Sequence, residues 1–511
     1  MINAKVIYTA VAFSAVLGFA ASPEVAPVLP TIKDSCYQVS TVEELYGFAS
    51  AMNGSNGFTK DTVNVCMALN ADITINKDVL NDTLGLAKDT SAYILWKPPA
   101  QIKKTMTILG NGHTISGLVA IQTNTEYPRD KDWGFVGYAK SIAISDFHLK
   151  DAFIGDGPST VYHGVGGFVG AGYVTVMGSS FDGRVNAASR ETGGFVGDGS
   201  AFITNGRVGG KVSGGTAGGF VGKCDYRVEI KRSYNEAAVH ASQAGGFVGE
   251  VYNSGKMIHI TESYNKGTIS TNSWSNDASG FVGHVSMADV IIYNAYNAGD
   301  ILVSNNSGSL VGTNQLGGTG PGTLYIYNTF NIGKMYGAAD DNRNYKGLVG
   351  GTLGTYSKLE NSFVLNDSLY NDAWFYGEPV DAADFANGNL LKKLQMYGTT
   401  FTYYATVTDT VMGLVWSQNV GVDPHPVLAM AGDAIVKKAR PANWKVSVQG
   451  NAIVLSGIRK GSLFAVYDLQ GKVFERGVAT GATQMVELVR PGVYAVRVNG
   501  NSQLVKILKS E

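Results

Sequence analysis

The charged side chains that lie closest together in this sequence form two clusters. Their members are Arg129, Asp130, Lys131 and Asp132 in the first cluster, and Asp225, Arg227 and Lys231 in the second. A pair of carboxyl groups can act as acid and base in glycoside cleavage, so each cluster is a candidate for polysaccharide-cleaving chemistry. Solvated charges on loops or corners are the more common origin of such clusters, and we favour that interpretation for both.

Oxygen ligands that suit calcium occur in two further segments, Gly155-Asp156-Gly157 and Asp340-Asp341-Asn342. The tandem Gly-Gly-x-Gly-x-Asp nonapeptide of calcium-binding solenoids is absent from the sequence. Polar surface turns are therefore the favoured interpretation of both segments.

The histidines give no sign of a metal or catalytic centre. No two have the spacing of metal ligands, and they are His113, His148, His163, His240, His259, His284 and His425. The motifs HExxH, GxSxG and GxxxxGK[ST] are absent, so zincin, α/β-hydrolase and P-loop functions have no support. Asp423 and His425 could form an acid–base pair, but the prolines beside the histidine favour a rigid closing turn. We assign no catalytic, cofactor-binding or metal-binding residue and expect no cofactor.

Aromatic side chains offer a different kind of contact. Some of the 26 tyrosines, such as Tyr162, Tyr173 and Tyr252, could form a surface on which sugar rings stack, although a structural role is the more common one. Cysteines number three: Cys36 and Cys66 could form a disulfide, which would leave Cys224 unpaired, or all three could be small buried residues.

Composition restricts the fold that must position these residues. The 511 residues include 65 glycines, and 40 basic residues balance 41 acidic ones. The balance argues against a nucleic-acid partner, which favours a basic face. A hydrophobic content of 44% excludes a disordered chain, and the 13 prolines without a three-residue period exclude collagen. Many short strands and tight turns are expected.

The N-terminus is typical of a secretory signal peptide, which we place at 1–20. Lys5 supplies the positive charge, an apolar stretch covers 6–19, and Gly18-Phe19-Ala20 suits cleavage. No later segment is apolar enough over about 20 residues to cross a membrane, so we expect an exported chain without a transmembrane segment.

An internal repeat dominates the remaining sequence. GGFVG or a close variant occurs eight times, at intervals of 25 to 38 residues. The central apolar residues are Phe135, Phe168, Phe195, Phe220, Phe247, Phe281, Leu310 and Leu348. Between the copies lies a second signature of the form Ser-Tyr-Asn-x-Gly, as at 263–267. Each repeat holds about three short β-prone runs and no helical periodicity.

Three short strands per repeat predict one coil of a right-handed parallel β-helix, in which stacking buries the inner face of each coil. Equivalent phenylalanines should then form an interior ladder. The flanking glycines should supply corners with positive φ. The recurring Asn235, Asn265, Asn297 and Asn331 should tolerate left-handed corners and bond to the next coil.

The GGFVG series with intervening Ser-Tyr-Asn-x-Gly resembles the GLUG repeat of bacterial secreted and surface proteins, over roughly 130 to 365. The segment 107–118 looks like the first coil of such a β-helix. The resemblance implies a GLUG-repeat solenoid, which we place over 101–370. An N-terminal cap over 21–100 is expected because an open coil edge would invite aggregation. In that cap, 42–49 is predicted as a short helix and 63–73 as a strand.

The C-terminal third follows a different pattern. We predict a cap and linker over 371–440, with a helix over 382–394, and a small β-sandwich over 441–511 because its strands alternate and are short. The segments 467–473 and 491–494 resemble the C-terminal sorting domain of the type IX secretion system, of the Por type. That resemblance implies a partner in the secretion machinery.

Together these observations favour a secreted or bacterial cell-surface protein that is not an enzyme. We expect an adhesin-like rod that presents loops to an unknown surface ligand, a glycan or a matrix protein. A carbohydrate-active enzyme, either a polysaccharide lyase or a glycoside hydrolase on the same fold, is the alternative. A structural component of the cell envelope is the second alternative.

Overall fold

A computed structural model gives the fold of the chain. The structure describes residues 23–63, 65–121, 132–155, 164–271, 277–302, 307–314, 322–336, 347–350, 353, 356–366, 376–403, 407–429, 444–449, 452–458, 460, 463–467, 473–487, 492–498 and 501–507. The predicted signal peptide lies outside these residues. Within them, no helix has both the length and the apolar character needed to cross a membrane.

The N-terminal segment combines one helix with the first strands. Its elements are β1 (Ile32–Lys33), β2 (Cys36–Val39), α1 (Val42–Asn53), β3 (Cys66–Leu69) and β4 (Ile73–Thr74). The Thr41 side chain accepts a hydrogen bond from the Glu44 amide at the start of α1, and Gly54 ends the helix with φ +66°. A disulfide joins Cys36 to Cys66 and ties β2 to β3. The helix is thus present and one turn longer than predicted, while the strand predicted over 63–73 divides into two.

The strands of the solenoid run without a long helix between them. Those of the first half are β5 (Ile102–Leu109), β6 (Thr114–Ser116), β7 (Val119–Ile121), β8 (Val136–Ser145), β9 (His148–Gly155), β10 (Val165–Gly166), β11 (Val169–Met177), β12 (Ser180–Gly193), β13 (Val196–Thr204), β14 (Arg207–Gly218), β15 (Val221–Lys231), β16 (Tyr234–Asn235), β17 (Ala238–Ala241) and β18 (Gln243–Gly245). A short 3₁₀ helix spans Thr90–Ala92.

The second half continues with β19 (Val248–Tyr252), β20 (Met257–Asn265), β21 (Ile269–Thr271), β22 (Asp277–Ser279), β23 (Val282–Ser286), β24 (Asp289–Asn297), β25 (Ile301–Leu302), β26 (Val311–Asn314), β27 (Leu324–Asn331), β28 (Met335–Tyr336), β29 (Lys358–Leu365) and β30 (Glu378–Val380).

Strands of successive coils pair in parallel and in matched register. Val196 of β13 pairs with Val221 of β15, which in turn pairs with Val248 of β19. This confirms the predicted fold class, an all-β parallel β-helix, with about nine turns. Parallel pairing also joins β2 to β3 and β3 to β5, so coil stacking begins within the segment predicted as a cap.

The predicted aromatic ladder fills the interior. Phe168, Phe195, Phe220, Phe247 and Phe281 are fully buried, with successive ring centroids 4.4 to 5.2 Å apart. Trp96 stacks on Phe135 at 5.1 Å and extends the ladder towards the N-terminus, which the motif alone did not predict. The stacked rings bind the coils together through apolar burial and ring contact.

The asparagine ladder is present, but its backbone differs from the prediction. Asn265 Nδ2 donates to Asn297 Oδ1 at 2.7 Å, and Asn297 Nδ2 donates to Asn331 Oδ1 at 2.8 Å. The expectation of left-handed corners at these residues is wrong. Positive φ occurs three residues earlier in each coil, for example at Asn294 and Asn328. Asparagine suits the ladder because its amide NH₂ group donates to the next coil while its amide oxygen accepts from the previous one.

The motif glycines also serve a purpose other than the predicted one. Gly193, Gly218 and Gly245 do not adopt positive φ. A Cβ on Gly218 would overlap the carbonyl oxygen of Val221 and lie 2.7 Å from that of Phe247. Glycine is therefore needed because the chain reverses so sharply that no side chain fits, and not because of backbone dihedral freedom.

Behind the last coil, short elements cover one flank of the solenoid. They are α2 (Ala382–Ala386), α3 (Asn389–Met396), β31 (Gly398–Tyr403), β32 (Val407–Met412), β33 (Trp416–Ser417) and β34 (Val427–Leu428), with a 3₁₀ helix at Gly413–Val415. The single helix predicted over 382–394 is divided because Gly388 lies between α2 and α3 with φ +84°. A second aromatic row stacks in successive coils and consists of Tyr234, Tyr264, Tyr296 and Phe330. Trp416 and Phe385 pack against Phe330 of this row.

The hairpin β31–β32 is anchored to the solenoid by one carboxylate. Asp409 Oδ2 accepts a hydrogen bond from the Tyr293 hydroxyl at 3.0 Å and lies 3.2 Å from His259 Nε2. Burial alone would raise the pKa of Asp409, but His259, the Thr410 amide and the Tyr293 hydroxyl outweigh it and lower the pKa.

The C-terminal strands form two sheets with a shared core, the small sandwich predicted from the sequence. The elements are β35 (Lys445–Gln449), β36 (Ala452–Ser456), β37 (Leu463–Tyr467), β38 (Val473–Val478), β39 (Thr483–Glu487), β40 (Gly492–Val498) and β41 (Asn501–Ile507). One sheet has the order β35-β36-β39 and the other β38-β37-β40-β41. Ile453 and Leu455 of the first sheet pack with Val466 and Val496 of the second.

Candidate functional site

The sharp reversal at each motif brings two polar positions together on the outside of the corner. They are the residue two before the five-residue motif and the residue directly after it. In four consecutive coils these pairs are Glu191 and Asp198, Thr216 and Lys223, Gln243 and Glu250, and Asp277 and His284. We call these eight residues the corner strip. Register places the first members in one row and the second members in another.

Lys223 lies at the centre of the corner strip. Its Nζ is 3.5 Å from Glu191 Oε1 and 3.7 Å from Glu250 Oε1, so these two oxygens lie within about 7.2 Å of each other, the sum of both separations. Thr216 Oγ1 lies 3.3 Å from Glu250 Oε2 and 3.1 Å from Gln243 Oε1. One cation is thus shared by two carboxylates, one from the coil on each side of it.

Asp277 and His284 form the most buried pair of the corner strip. Asp277 Oδ2 lies 2.7 Å from His284 Nδ1, and the two side chains are only 7% and 8% exposed. Because the carboxylate accepts, Nδ1 is assigned as the protonated nitrogen, which leaves Nε2 of the neutral ring as an acceptor. Within the described part of the chain, that Nε2 is buried and has no hydrogen-bond partner.

The electrostatics of the corner strip are dominated by crowded carboxyl groups. Burial raises the pKa of Asp198 to about 6, and Glu191, Asp225 and Asp132 add to the rise while Lys223 opposes it. Burial likewise raises the pKa of Glu250, against the effect of Lys223. Two carboxyl groups of this strip are therefore easier to protonate than ordinary ones.

The corner strip suits an extended ligand. Coils are about 4.8 Å apart, so four coils span about 14 Å. Among the residues described, no group of three or more His, Cys, Asp or Glu side chains could hold a metal ion. Carboxylate, amide and hydroxyl oxygens accept hydrogen bonds, so the strip offers a line of acceptors to a ligand with hydroxyl or ammonium donors. The Tyr252 ring lies 4.8 Å from that of His284 and adds an aromatic surface.

The second charged cluster singled out in the sequence does not converge on one site. Asp225 pairs with Lys256 at 3.8 Å, Arg227 with Glu229, and Lys231 with Glu262 at 3.1 Å. Of the first cluster, only Asp132 lies within the described residues, where its Oδ1 accepts a hydrogen bond from the Gly164 amide at 3.1 Å. The proposed calcium segments lie outside the described residues, apart from Gly155.

The other residues singled out in the sequence either have structural roles, lie beside the corner strip or fall outside the described residues. Asp423 accepts a hydrogen bond from the Asn419 amide, whereas His425 Nδ1 lies 2.7 Å from the Pro426 carbonyl oxygen. The two do not form an acid–base pair, which confirms the closing-turn interpretation. Tyr173 packs on Phe202 at 5.2 Å, Tyr252 borders the corner strip, and Tyr162 lies outside the described residues.

Sequence reasoning missed the corner strip, although its signal is present. The strip becomes visible when the repeats are aligned and the flanking positions are compared as columns, which read Glu, Thr, Gln, Asp before the motif and Asp, Lys, Glu, His after it. Charge clusters in the linear sequence are a poor guide here, because stacking unites residues about 25 to 34 positions apart.

Comparison with known proteins adds little to this geometry. No protein-family model and no curated protein matches the chain. Among solved structures it is similar to a crystal structure described as "a putative immunoglobulin A1 protease from Bacteroides ovatus". The likeness covers 78% of this chain and 93% of that one, at 15% identity and a TM-score of 0.38. A likeness of this degree carries no argument about activity.

Proposed function

We propose that the protein is an exported, non-catalytic surface protein that binds a glycan along the corner strip. The observation that carries the proposal is the continuity of the strip over four coils, with polar groups that are partly buried and arranged in two facing rows. Sugar hydroxyls donate hydrogen bonds to carboxylates, and the apolar face of a sugar ring packs on an aromatic ring such as Tyr252. A coil spacing of about 4.8 Å is comparable to the length of one pyranose ring along a chain.

Binding is tested with an oligosaccharide array and a panel of matrix proteins, using the purified protein. We expect saturable binding of at least one glycan. Tyr252→Ala should weaken it about fivefold or more, as expected for about 1 kcal/mol of lost ring contact. Tyr226→Ala is the matched control, because Tyr226 is 63% exposed and lies outside the strip. Equal effects of the two substitutions, or binding to matrix proteins alone, would contradict the proposal.

Export and family membership form the second part of this proposal. The GLUG-like repeat and the N-terminal signal motif support a bacterial secreted protein, and the Cys36–Cys66 disulfide supports an oxidising compartment. The C-terminal sandwich has a core of its own, which suits a separate sorting domain for type IX secretion. Deletion of 441–511 should then abolish surface delivery while leaving the solenoid folded. Unchanged surface delivery would exclude a sorting role.

A polysaccharide-cleaving enzyme is the second candidate, and one observation favours it. Asp198, with its pKa raised to about 6, could donate a proton, and Glu191 supplies a second carboxyl group in the same strip. Release of reducing ends from any bound glycan would support this candidate. Turnover that Asp198→Asn abolishes would replace the binding proposal.

A further inference from the structure

The corner strip has an excess of negative charge. Its carboxyl groups are Glu191, Asp198, Glu250 and Asp277, and its basic groups are Lys223 and His284. Lys223 is shared between Glu191 and Glu250, and His284 is bonded to Asp277. Asp198 is consequently left without a cation of its own within bonding distance among the described residues, although Lys223 faces it across the coil boundary.

Two acceptors in the strip have no donor. Asp198 Oδ1 and His284 Nε2 are both buried, and neither has a hydrogen-bond partner within the described part of the chain. His284 is buried and lies in the same row as Asp198, three coils further on. A buried polar group without a partner costs about 1 to 3 kcal/mol, so such groups are uncommon unless something else satisfies them. An ionised Asp198 carboxylate only accepts hydrogen bonds, so its Oδ1 requires a donor, which a ligand with N–H groups provides.

We propose that the corner strip selects a glycan that carries ammonium groups over neutral and acidic glycans. This inference rests on the proposed glycan-binding function and specifies its substrate class. An acidic glycan would place carboxylates or sulfates against the carboxylates of the strip, and the repulsion between them would weaken binding. A neutral glycan would supply hydroxyl donors but would leave the negative charge uncompensated.

The spacing of the charges favours a polymer over a single ion. The carboxyl groups are distributed over coils about 4.8 Å apart, and no three of the described ligating side chains meet at one point. Side chains on one face of an extended peptide recur every 6.6 to 6.8 Å or so, which does not match this spacing. Successive sugar rings match it better, so an amino-substituted glycan fits the strip better than a basic peptide.

Proton linkage gives the inference a second signature. Asp198 faces Lys223 and also experiences Glu191, Asp225 and Asp132, while Glu250 faces Lys223, Glu191, His284 and the Thr216 hydroxyl. A ligand ammonium group beside these carboxyls favours their ionised forms and lowers each pKa. Binding should therefore release protons and become tighter as the pH rises through about 6.

The test uses three oligosaccharides with one β-1,4-glucan backbone. They differ at carbon 6, which carries a hydroxyl, an amino group or a carboxyl group; the alkyl amine, like that of lysine, stays protonated up to about pH 8. Titration calorimetry of the purified protein at pH 5 and pH 7.5, in two buffers of different ionisation enthalpy, measures affinity and proton release. At pH 7.5 we expect the amino form to bind about tenfold or more tightly than the neutral form, with a smaller preference at pH 5.

Variants connect the preference to the strip. Asp198→Asn should reduce the preference for the amino form severalfold and reduce the proton release. The matched control is Asp182→Asn, because Asp182 lies outside the corner strip, where its carboxylate pairs with Arg207 at 3.3 Å. This substitution should leave the preference for the amino form and the proton release unchanged. Glu191→Gln is the second variant if Asp198→Asn lowers the thermal midpoint.

The outcomes separate the two proposals. Binding of the neutral form with equal or greater affinity than the amino form would overturn the ammonium preference and leave the glycan-binding function intact. Preference for the carboxyl form, or an equal loss in Asp182→Asn, would also overturn it. If none of these probes and no glycan of the array binds, the proposed function itself fails.

Discussion

The substitution Gly218→Ala tests why the motif requires glycine. A Cβ on Gly218 would overlap the Val221 carbonyl oxygen and lie 2.7 Å from the Phe247 carbonyl oxygen and 2.8 Å from the Gly249 nitrogen. All three atoms belong to the backbone, so no side chain can rotate away. Gly255 provides the opposite case, because its φ is +81° and a Cβ there would contact nothing within 4 Å.

The expected magnitudes follow from these two geometries. The Phe247 carbonyl accepts hydrogen bonds from the Phe220 and Val221 amides at 3.0 and 2.9 Å, and displacing it weakens both. Overpacking costs about 1 to 3 kcal/mol, and each hydrogen bond contributes about 1 kcal/mol more. We expect Gly218→Ala to lower the free energy of unfolding by about 3 to 5 kcal/mol. For Gly255→Ala we expect about 1 kcal/mol, because left-handed strain is partly offset by a less flexible unfolded chain.

Denaturant unfolding followed by circular dichroism compares the two variants, and hydrogen exchange shows whether the loss is confined to the coils beside Gly218. Asparagine tolerates the left-handed region, so Gly255→Asn should recover part of the loss, whereas Gly218→Asn should not. If Gly218→Ala costs no more than Gly255→Ala, steric exclusion at the corner is the wrong explanation. Dihedral freedom would then be the reason for the motif after all.

Three other perturbations test separate parts of the fold. Phe220→Ala removes a fully buried ring of the interior ladder and should lower the free energy of unfolding by about 3 to 5 kcal/mol in denaturant titrations, with a smaller loss for Phe220→Leu. Asn265→Asp replaces an amide donor that faces two oxygens by a buried carboxyl group, and should cost about 3 kcal/mol or more by the same measurement. The pKa of Asp409 is lower in the folded protein than in the unfolded chain, where it is about 3.9. The stabilisation of the hairpin by Asp409 is therefore complete above this unfolded pKa and is lost as the pH falls through the folded pKa. Hydrogen exchange in the hairpin should therefore accelerate between pH 5 and pH 2, and Asp409→Asn should remove most of that pH dependence.

The interior of the solenoid could be predicted from the sequence because each coil repeats the same apolar requirement. Phe195 and Phe220 occupy equivalent positions in successive copies, and stacking places their ring centroids 5.2 Å apart. The asparagine amides were predictable for the same reason. The backbone conformation was harder to predict from the sequence. Residue type shows that Asn294 and Gly218 can adopt positive φ, but it does not show whether a position requires positive φ or only the absence of a side chain.

The candidate site could not be predicted from clusters in the linear sequence. Glu191, Lys223 and Glu250 are separated by 32 and 27 positions, yet Lys223 bonds to both carboxylates. Their proximity depends on the register of the coils, whereas their separation in the sequence depends on the number of residues inserted between motifs. Asp225, Arg227 and Lys231, in contrast, are neighbours in sequence but belong to three different ion pairs.

A comparison of two polar rows within the same solenoid favours a binding role for the corner strip. The asparagine row satisfies its buried amides by bonds between coils, as at Asn265 and Asn297, and so shows how a β-helix stabilises a polar row. The corner strip instead contains charges, and burial there raises the pKa of Asp198 to about 6. Among the described residues, its buried Asp198 Oδ1 and His284 Nε2 atoms have no hydrogen-bond partner. Partly buried charges of this kind stabilise a fold little, since their desolvation offsets their attraction. An arrangement that costs stability in the free protein is expected where a ligand supplies the missing donors.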